Sequence, residues 1–182
     1  RYKFKLLRNR NKLGIFKCFY THLDKIPNYY EYYLKFDSDI EILSDNLIPQ
    51  LIENFDHPLT ISGLTPRVEG QVNSDRYENT MNLHKGHSIK VNVPIVYGCC
   101  LMFTRGSFNT FPRMTKKQID DCIECWGIDS KLYDHALTKG TFLIIEDLSV
   151  YHIDNTYGQR RIYPEYFTDR KRWDIIDNEQ VS

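Results

Sequence analysis

The sequence lacks the features that mark two large classes of protein. It has no run of about 18 or more apolar residues, so no stretch of it is long enough for a transmembrane helix. Basic and acidic residues balance at 24 each, whereas proteins that neutralise nucleic-acid phosphates usually carry a basic excess. We therefore predict no transmembrane segment and no nucleic-acid partner.

The number of cysteines argues against a further class of protein. The chain contains five cysteines, and an odd number does not suit a secreted disulfide framework. We expect a reducing compartment, namely the cytoplasm of the cell or of an infected host cell. Cys122 and Cys125 form a C-x-x-C, to which Cys99, Cys100 and a histidine could add zinc ligands. Because neither a second C-x-x-C nor an H-x-x-x-H is present, a zinc-binding module is the weaker alternative.

Neither internal repeats nor a low-complexity linker divides the chain, so we predict a single domain over residues 1–182. β-rich runs alternate with amphipathic ones, which indicates an α/β fold with a central sheet flanked by helices. The predicted helices cover residues 12–22, 47–55 (capped by Ser44 or Asp45), 116–125 and 129–138. The predicted strands cover residues 29–36, 59–64, two runs within 88–103, 141–145 and 149–153, the last two separated by a Glu-Asp turn.

Residues 65–88 are polar and show no clear period, so we expect a long loop there. Loops of that length are usually functional or mobile. His84 and His87 lie within it, and two interpretations stay open. The segment is either a lid that closes over a bound ligand or an ordinary surface loop.

Two aspartates stand at the end of the first predicted strand. Asp37 and Asp39 flank Ser38 directly after the aromatic run at residues 29–36. Residues two apart on an extended chain point the same way, so the two carboxylates repel each other unless a cation or a basic group joins them. Mg²⁺ or Mn²⁺ binds one or two carboxylates and fills its other positions with water and phosphate oxygens. The motif predicts a metal site for a diphosphate, and the alternative is a solvated turn that caps the next helix.

Four segments resemble glycosyltransferases of the GT-A fold, particularly the large family 2. The strand–D-x-D–helix segment of that group is similar to residues 32–43 (YYLKFDSDIEIL). A later strand that precedes a basic and an aromatic residue is similar to residues 95–108 (IVYGCCLMFTRGSF). The helix start with the family's acidic pair resembles residues 125–140 (CWGIDSKLYDHALTKG), and the late strand ending in V-x-H resembles residues 150–154 (VYHID). The four segments occur in the family's order.

The resemblance implies a GT-A (Rossmann-like) mixed sheet and a metal-dependent hexosyltransferase. Such an enzyme moves a sugar from a nucleotide-diphosphate donor, with UDP-sugar favoured, to a hydroxyl of a carbohydrate or glycoconjugate. The implied cofactor is Mn²⁺ or Mg²⁺. The resemblance assigns the donor site to Asp37, Ser38 and Asp39, the metal to Asp37, Asp39 and His152, the general base to Asp129, and the acceptor side to Tyr97, Gly98 and Trp126.

Two of these roles have ordinary alternatives. Aspartate is among the best helix N-caps, so Asp129 is either the base of an inverting reaction or a cap. His152 is either a ligand or phosphate contact, or a buried histidine held by hydrogen bonds.

The chain departs from the family pattern in two places. The family has two adjacent acids where this chain has Ile128 and Asp129, and a later aspartate of the pattern is Lys131 here. In addition, 36 residues precede Asp37, too few for the family's whole nucleotide-binding β-α-β unit. We therefore expect the N-terminal part of the family's fold to be missing from this chain or abbreviated.

Two further functions remain open from the sequence. A nucleotidyltransferase of related fold also uses acidic residues at a strand end, although the glycine-rich basic loop that it usually needs is not visible here. A non-catalytic carbohydrate-binding domain of the same fold is the other. The frequent Asn, Ile, Lys and Tyr are typical of AT-rich genomes, such as those of large DNA viruses or low-GC bacteria.

Overall fold

The computed structural model describes residues 14–37, 40–57, 59–69, 82–91, 98–120 and 128–152. Helices and strands alternate along these segments. In chain order they are α1 (Gly14–Leu23), β1 (Tyr32–Phe36), β2 (Ile40–Ile42), α2 (Leu47–Glu53), β3 (Ile61–Glu69), β4 (Asn82–His84), β5 (His87–Val91), β6 (Cys100–Thr104), α3 (Arg105–Asn109), α4 (Lys116–Asp120), α5 (Ile128–Leu137) and β7 (Thr141–His152).

The seven strands of the described segments form one mixed sheet, in which six follow the order β1-β6-β3-β7-β5-β4 and the seventh, β2, pairs with β7. β3 and β7 run parallel, and the other pairs are antiparallel. The long strand β7 pairs with β5 in its first half and with β2 at its end, both on the side opposite β3. The chain is thus α/β with a mixed sheet, as predicted.

Helices cover both faces of this sheet. On one face, α2 packs its buried Leu47 and Leu51 against residues of β3, β5, β6 and β7. On the other face, α1, α3 and α5 pack against β1 and β6 through an aromatic-rich cluster that includes Tyr33 and Phe103. Alternate residues of β6 belong to the two clusters, because successive side chains of a strand point to opposite faces. None of the helices in the described segments is long and apolar enough to cross a membrane.

The loop predicted over residues 65–88 is wrong at both of its ends. β3 continues to Glu69, and residues 82–91 form the β4–β5 hairpin. The hairpin turn places Lys85 at φ 48° and Gly86 at φ 86°. Positive φ at both central residues suits a tight two-residue hairpin turn. Residues 70–81 lie outside the described segments.

The predicted Glu-Asp turn between two late strands is also wrong, because β7 is continuous through it. The register of β7 against β3 shifts between the pairs Pro66–Ile145 and Arg67–Ser149, so the chain bulges there without leaving the sheet. The charges at the bulge are paired with the neighbouring strand. Glu146 lies 3.3 Å from Lys90, and Asp147 lies 2.8 Å from Nδ1 of His87.

The prediction that Ser44 or Asp45 caps α2 is wrong. The residue before α2 is Asn46, which has a left-handed backbone and makes no side-chain cap. Ser44 instead accepts a hydrogen bond from the backbone N–H of Ser149, at 2.7 Å. Its hydroxyl therefore joins the chain before α2 to β7.

Candidate active site

The site forms where β1 ends beside the start of β6. Phe36 is opposite Cys100 in the antiparallel register, and the backbone N–H of Asp37 donates to the Cys99 carbonyl at 2.9 Å. This bond extends the pairing by one residue and fixes Asp37 at the carboxyl end of β1. Tyr33 and Lys35 alternate with Leu34 and lie on the face that meets the α1–α3–α5 layer.

Asp129 reaches this strand end from the first turn of α5. Its Oδ1 lies 2.8 Å from Nζ of Lys35, and the same Nζ lies 2.7 Å from Oδ1 of Asp37. One ammonium group therefore joins two carboxylates that are far apart in sequence. The side chain of Lys35 is 16% exposed, and those of Asp37 and Asp129 are 31% and 35% exposed. The cluster is open to solvent on its carboxylate side.

Gly98 contacts both Lys35 and Asp129. Its carbonyl accepts a hydrogen bond from the Lys35 ammonium. A Cβ atom at position 98 would overlap Cβ, Cγ and Oδ2 of Asp129. Only glycine lets the Asp129 side chain lie against the backbone at this point.

The charge of Lys35 is maintained by its neighbours. Burial by itself lowers the pKa of a lysine, because the charged form loses water. The attraction of Asp129 and the hydrogen bonds to both carboxylates more than offset that loss, so the pKa of Lys35 lies above its usual value. Lys35 is therefore an ammonium ion at neutral pH, and the cluster carries one positive and two negative groups.

The structure brings together three of the residues assigned from the sequence: Asp37, Gly98 and Asp129. His152 is the last residue of β7 and is opposite Ile40 in the register, so it is adjacent to the strand that follows the D-x-D motif. The other assigned residues, namely Ser38, Asp39, Tyr97 and Trp126, lie outside the described segments.

The donor set predicted for a metal ion is chemically suited to Mn²⁺, which accepts carboxylate oxygens readily and imidazole nitrogen as well. Within the described segments, no three His, Cys, Asp or Glu side chains form a group that could hold an ion. Asp39 is not among the residues of these segments. An ion bound to Asp37 would share its carboxylate with Lys35, which already contacts it.

Lys35 is the residue of this site to which the sequence analysis gave no role. The sequence does indicate that Lys35 lies near Asp37, because a residue two positions before Asp37 on a strand points to the same face as that aspartate. The repulsion between strand-end carboxylates called for a cation or a basic group. In the described part of the site, Lys35 is that basic group for Asp37.

Two of the cysteines considered for zinc are packed as apolar side chains. Cys99 and Cys100 are 4% and 0% exposed and belong to the core on the α2 face. Burial raises the pKa of both thiols to about 12. Cys122 and Cys125 lie outside the described segments.

Comparison of the chain with protein-family models, with curated proteins and with solved structures finds no significant match.

Proposed function

We propose that the chain is the catalytic domain of a metal-dependent glycosyltransferase of the GT-A type. The observation that carries this proposal is the convergence of Asp37, Gly98 and Asp129 at the carboxyl end of β1. Ligands of α/β sheets bind at the carboxyl ends of strands. Glycosyl transfer to a hydroxyl needs one carboxylate beside the donor and one beside the acceptor. In this proposal Asp37 is the first and Asp129 the second.

The donor would lie at Asp37 and Asp39, with the sugar directed toward Asp129. A divalent ion held by these aspartates and His152 would supply positive charge to the leaving diphosphate, where negative charge builds in the transition state. UDP-sugars are the favoured donors and Mn²⁺ the favoured ion. The acceptor would be a carbohydrate or glycoconjugate in the cytoplasm of the cell or of an infected host cell.

The acceptor hydroxyl loses its proton to Asp129 in this proposal. A carboxylate acts as a general base when it comes within about 2.6–3.2 Å of that hydroxyl. Asp129 is over one-third exposed on its side chain and is held in position by Lys35 and Gly98. A base on the face opposite the leaving group gives inversion at the anomeric carbon. Tyr97, Gly98 and Trp126 would contact the acceptor.

The test is a screen of nucleotide-sugars for Mn²⁺-dependent hydrolysis. Wild type is compared with Asp39→Ala and Asp37→Asn, and Asp45→Ala is the matched control because Asp45 is an exposed aspartate outside the site. We expect both site variants to lose activity while they remain folded, and the control to keep it. Equal turnover by Asp39→Ala and wild type refutes the proposal.

Product analysis separates the proposed reaction from the nucleotidyl transfer that the sequence leaves open. A glycosyltransferase releases a nucleoside diphosphate, whereas a nucleotidyltransferase transfers a nucleoside monophosphate. Binding of sugars without any metal-dependent donor turnover would favour the non-catalytic carbohydrate-binding domain.

A further inference from the structure

The ammonium group of Lys35 makes three polar contacts in the candidate active site. It contacts one oxygen of Asp37 at 2.7 Å and one oxygen of Asp129 at 2.8 Å, and it donates to the Gly98 carbonyl. A lysine ammonium has three N–H donors. One of these donors bonds the Gly98 carbonyl, and the ammonium lies within ion-pair distance of both carboxylates. Lys35 therefore contacts Asp37, which follows β1, as well as Asp129 of α5.

Lys35 also contacts the carboxylate of Asp37, which would be one of the ligands of a divalent cation in the proposed function. A carboxylate oxygen that accepts a charged hydrogen bond cannot give its full charge to a metal ion at the same time. Two cations on one carboxylate also repel each other. The ammonium of Lys35 and an ion bound at Asp37 are therefore competitors for the same charge.

The contact to Asp129 has a different consequence. Asp129 lies against Gly98, and the ammonium of Lys35 contacts both the Asp129 carboxylate and the Gly98 carbonyl. These two contacts fix the direction of the carboxylate without depending on Asp37. If an ion were bound at Asp37, Lys35 would still contact Asp129 and Gly98.

We propose that Lys35 is a positioning residue that holds Asp129 for the acceptor and competes with the divalent cation for Asp37. This inference rests on the proposed glycosyltransferase function. In the absence of donor and metal, Lys35 neutralises part of the charge of the two carboxylates. An ion held by Asp37 would weaken the Lys35–Asp37 contact, and Lys35 would then contact Asp129 and Gly98 alone.

The test compares Lys35→Met and Lys35→Arg with wild type in two separate measurements. The first is direct binding of Mn²⁺ alone, followed by electron paramagnetic resonance, and the second is the kcat and KM of transfer. Lys90→Met is the matched control, because Lys90 is also a half-buried strand lysine with an acidic partner, Glu146, and its side chain is 13% exposed. Circular dichroism and melting temperature report whether each variant is folded.

We expect Lys35→Met to bind Mn²⁺ more tightly than wild type, by about threefold to tenfold, because one charged competitor is removed. Its kcat should fall by about 10²-fold, the effect of a misplaced catalytic group. Lys35→Arg should bind Mn²⁺ no more tightly than wild type and should retain part of the kcat. Lys90→Met should leave the Mn²⁺ affinity unchanged.

A residue with a merely structural role would give lower Mn²⁺ affinity together with lower stability. Unchanged or weaker Mn²⁺ binding by folded Lys35→Met therefore overturns the inference. If Lys35→Met does not fold, the test relies on Lys35→Arg. This variant keeps the positive charge, so tighter Mn²⁺ binding by it would contradict a competition between Lys35 and the ion for Asp37. Failure of the wild type to bind Mn²⁺ at all overturns the proposed function and this inference with it.

Discussion

Gly98→Ala is the substitution for which the structure gives the sharpest expectation. The added methyl would overlap three atoms of Asp129, including Cβ, which moves only with the backbone of α5. The side chain of Asp129 cannot simply rotate away, because Cβ stays in place when χ1 changes. Either α5 or the segment around position 98 must shift, and the Lys35–Asp129 contact must lengthen.

The magnitude follows from two costs. Forcing an extra methyl into a packed site costs about 1–3 kcal/mol. Losing the Lys35–Asp129 pair adds at most about 1 kcal/mol, since the carboxylate is partly exposed and screened by water. For a chain of this size, 1 kcal/mol lowers the melting temperature by about 2–4 °C. The total is about 1–4 kcal/mol, so we expect a melting temperature roughly 2–16 °C below that of the wild type. We also expect about 10²-fold slower turnover in the proposed glycosyl transfer.

Differential scanning calorimetry measures the first effect and initial-rate kinetics the second. Gly106→Ala is the matched control, because a Cβ at Gly106, inside α3, would meet no atom within 4 Å apart from its chain neighbours and the backbone of its own helix. Alanine is favoured over glycine in a helix by about 0.5–1 kcal/mol, so the control should be as stable as the wild type or slightly more so. If Gly98→Ala melts with the wild type, the placement of Asp129 against Gly98 is wrong.

Two further predictions concern groups outside the candidate active site. Burial, and then the charges of His57 and Lys85, lower the pKa of His84 below its ordinary 6.5. The unfolded chain thus takes up a proton that the folded chain resists, and the free energy of unfolding should decrease as the pH falls below about 6.5. Denaturant titrations from pH 7.5 to 5 should show a smaller decrease for His84→Gln, and an equal one would contradict this. Cys99 and Cys100 should resist iodoacetamide at pH 8 until the protein is denatured, since a pKa of about 12 leaves roughly one thiolate in 10⁴; mass spectrometry of the labelled peptides measures this.

The sequence was most informative where local pattern and tertiary environment agree. The aromatic run before Asp37 predicted β1, and the apolar spacing after Asn46 predicted α2, because in both the packing faces follow the period of the element. The helix after residue 128 and the strand after Thr141 are likewise confirmed. Long-range contacts reinforce these elements and do not override them.

The β4–β5 hairpin shows why other elements were missed. Asn-Gly and Asp-Gly are the strong sequence signals for a two-residue hairpin turn, because Asn and Asp tolerate positive φ. Here the first central residue is Lys85, whose β-carbon makes its φ of 48° uncommon. Lys85 is also paired with Asp56, with Nζ 2.6 Å from Oδ2, which helps to hold the turn beside the end of α2. The turn is thus supported by a contact that no local pattern contains.

Part of the candidate active site can likewise be predicted from local pattern, and part of it cannot. Alternation along β1 is enough to put Lys35 and Asp37 on one face. Nothing local to β1 indicates which other residue meets them, because that depends on where the first turn of α5 lies relative to Gly98. Gly98 makes room for Asp129 beside Lys35, since any side chain at position 98 would occupy the space of Asp129. Asp129 can lie where it does only if residue 98 is glycine. Neither the spacing nor the composition of this chain shows that these two residues depend on each other.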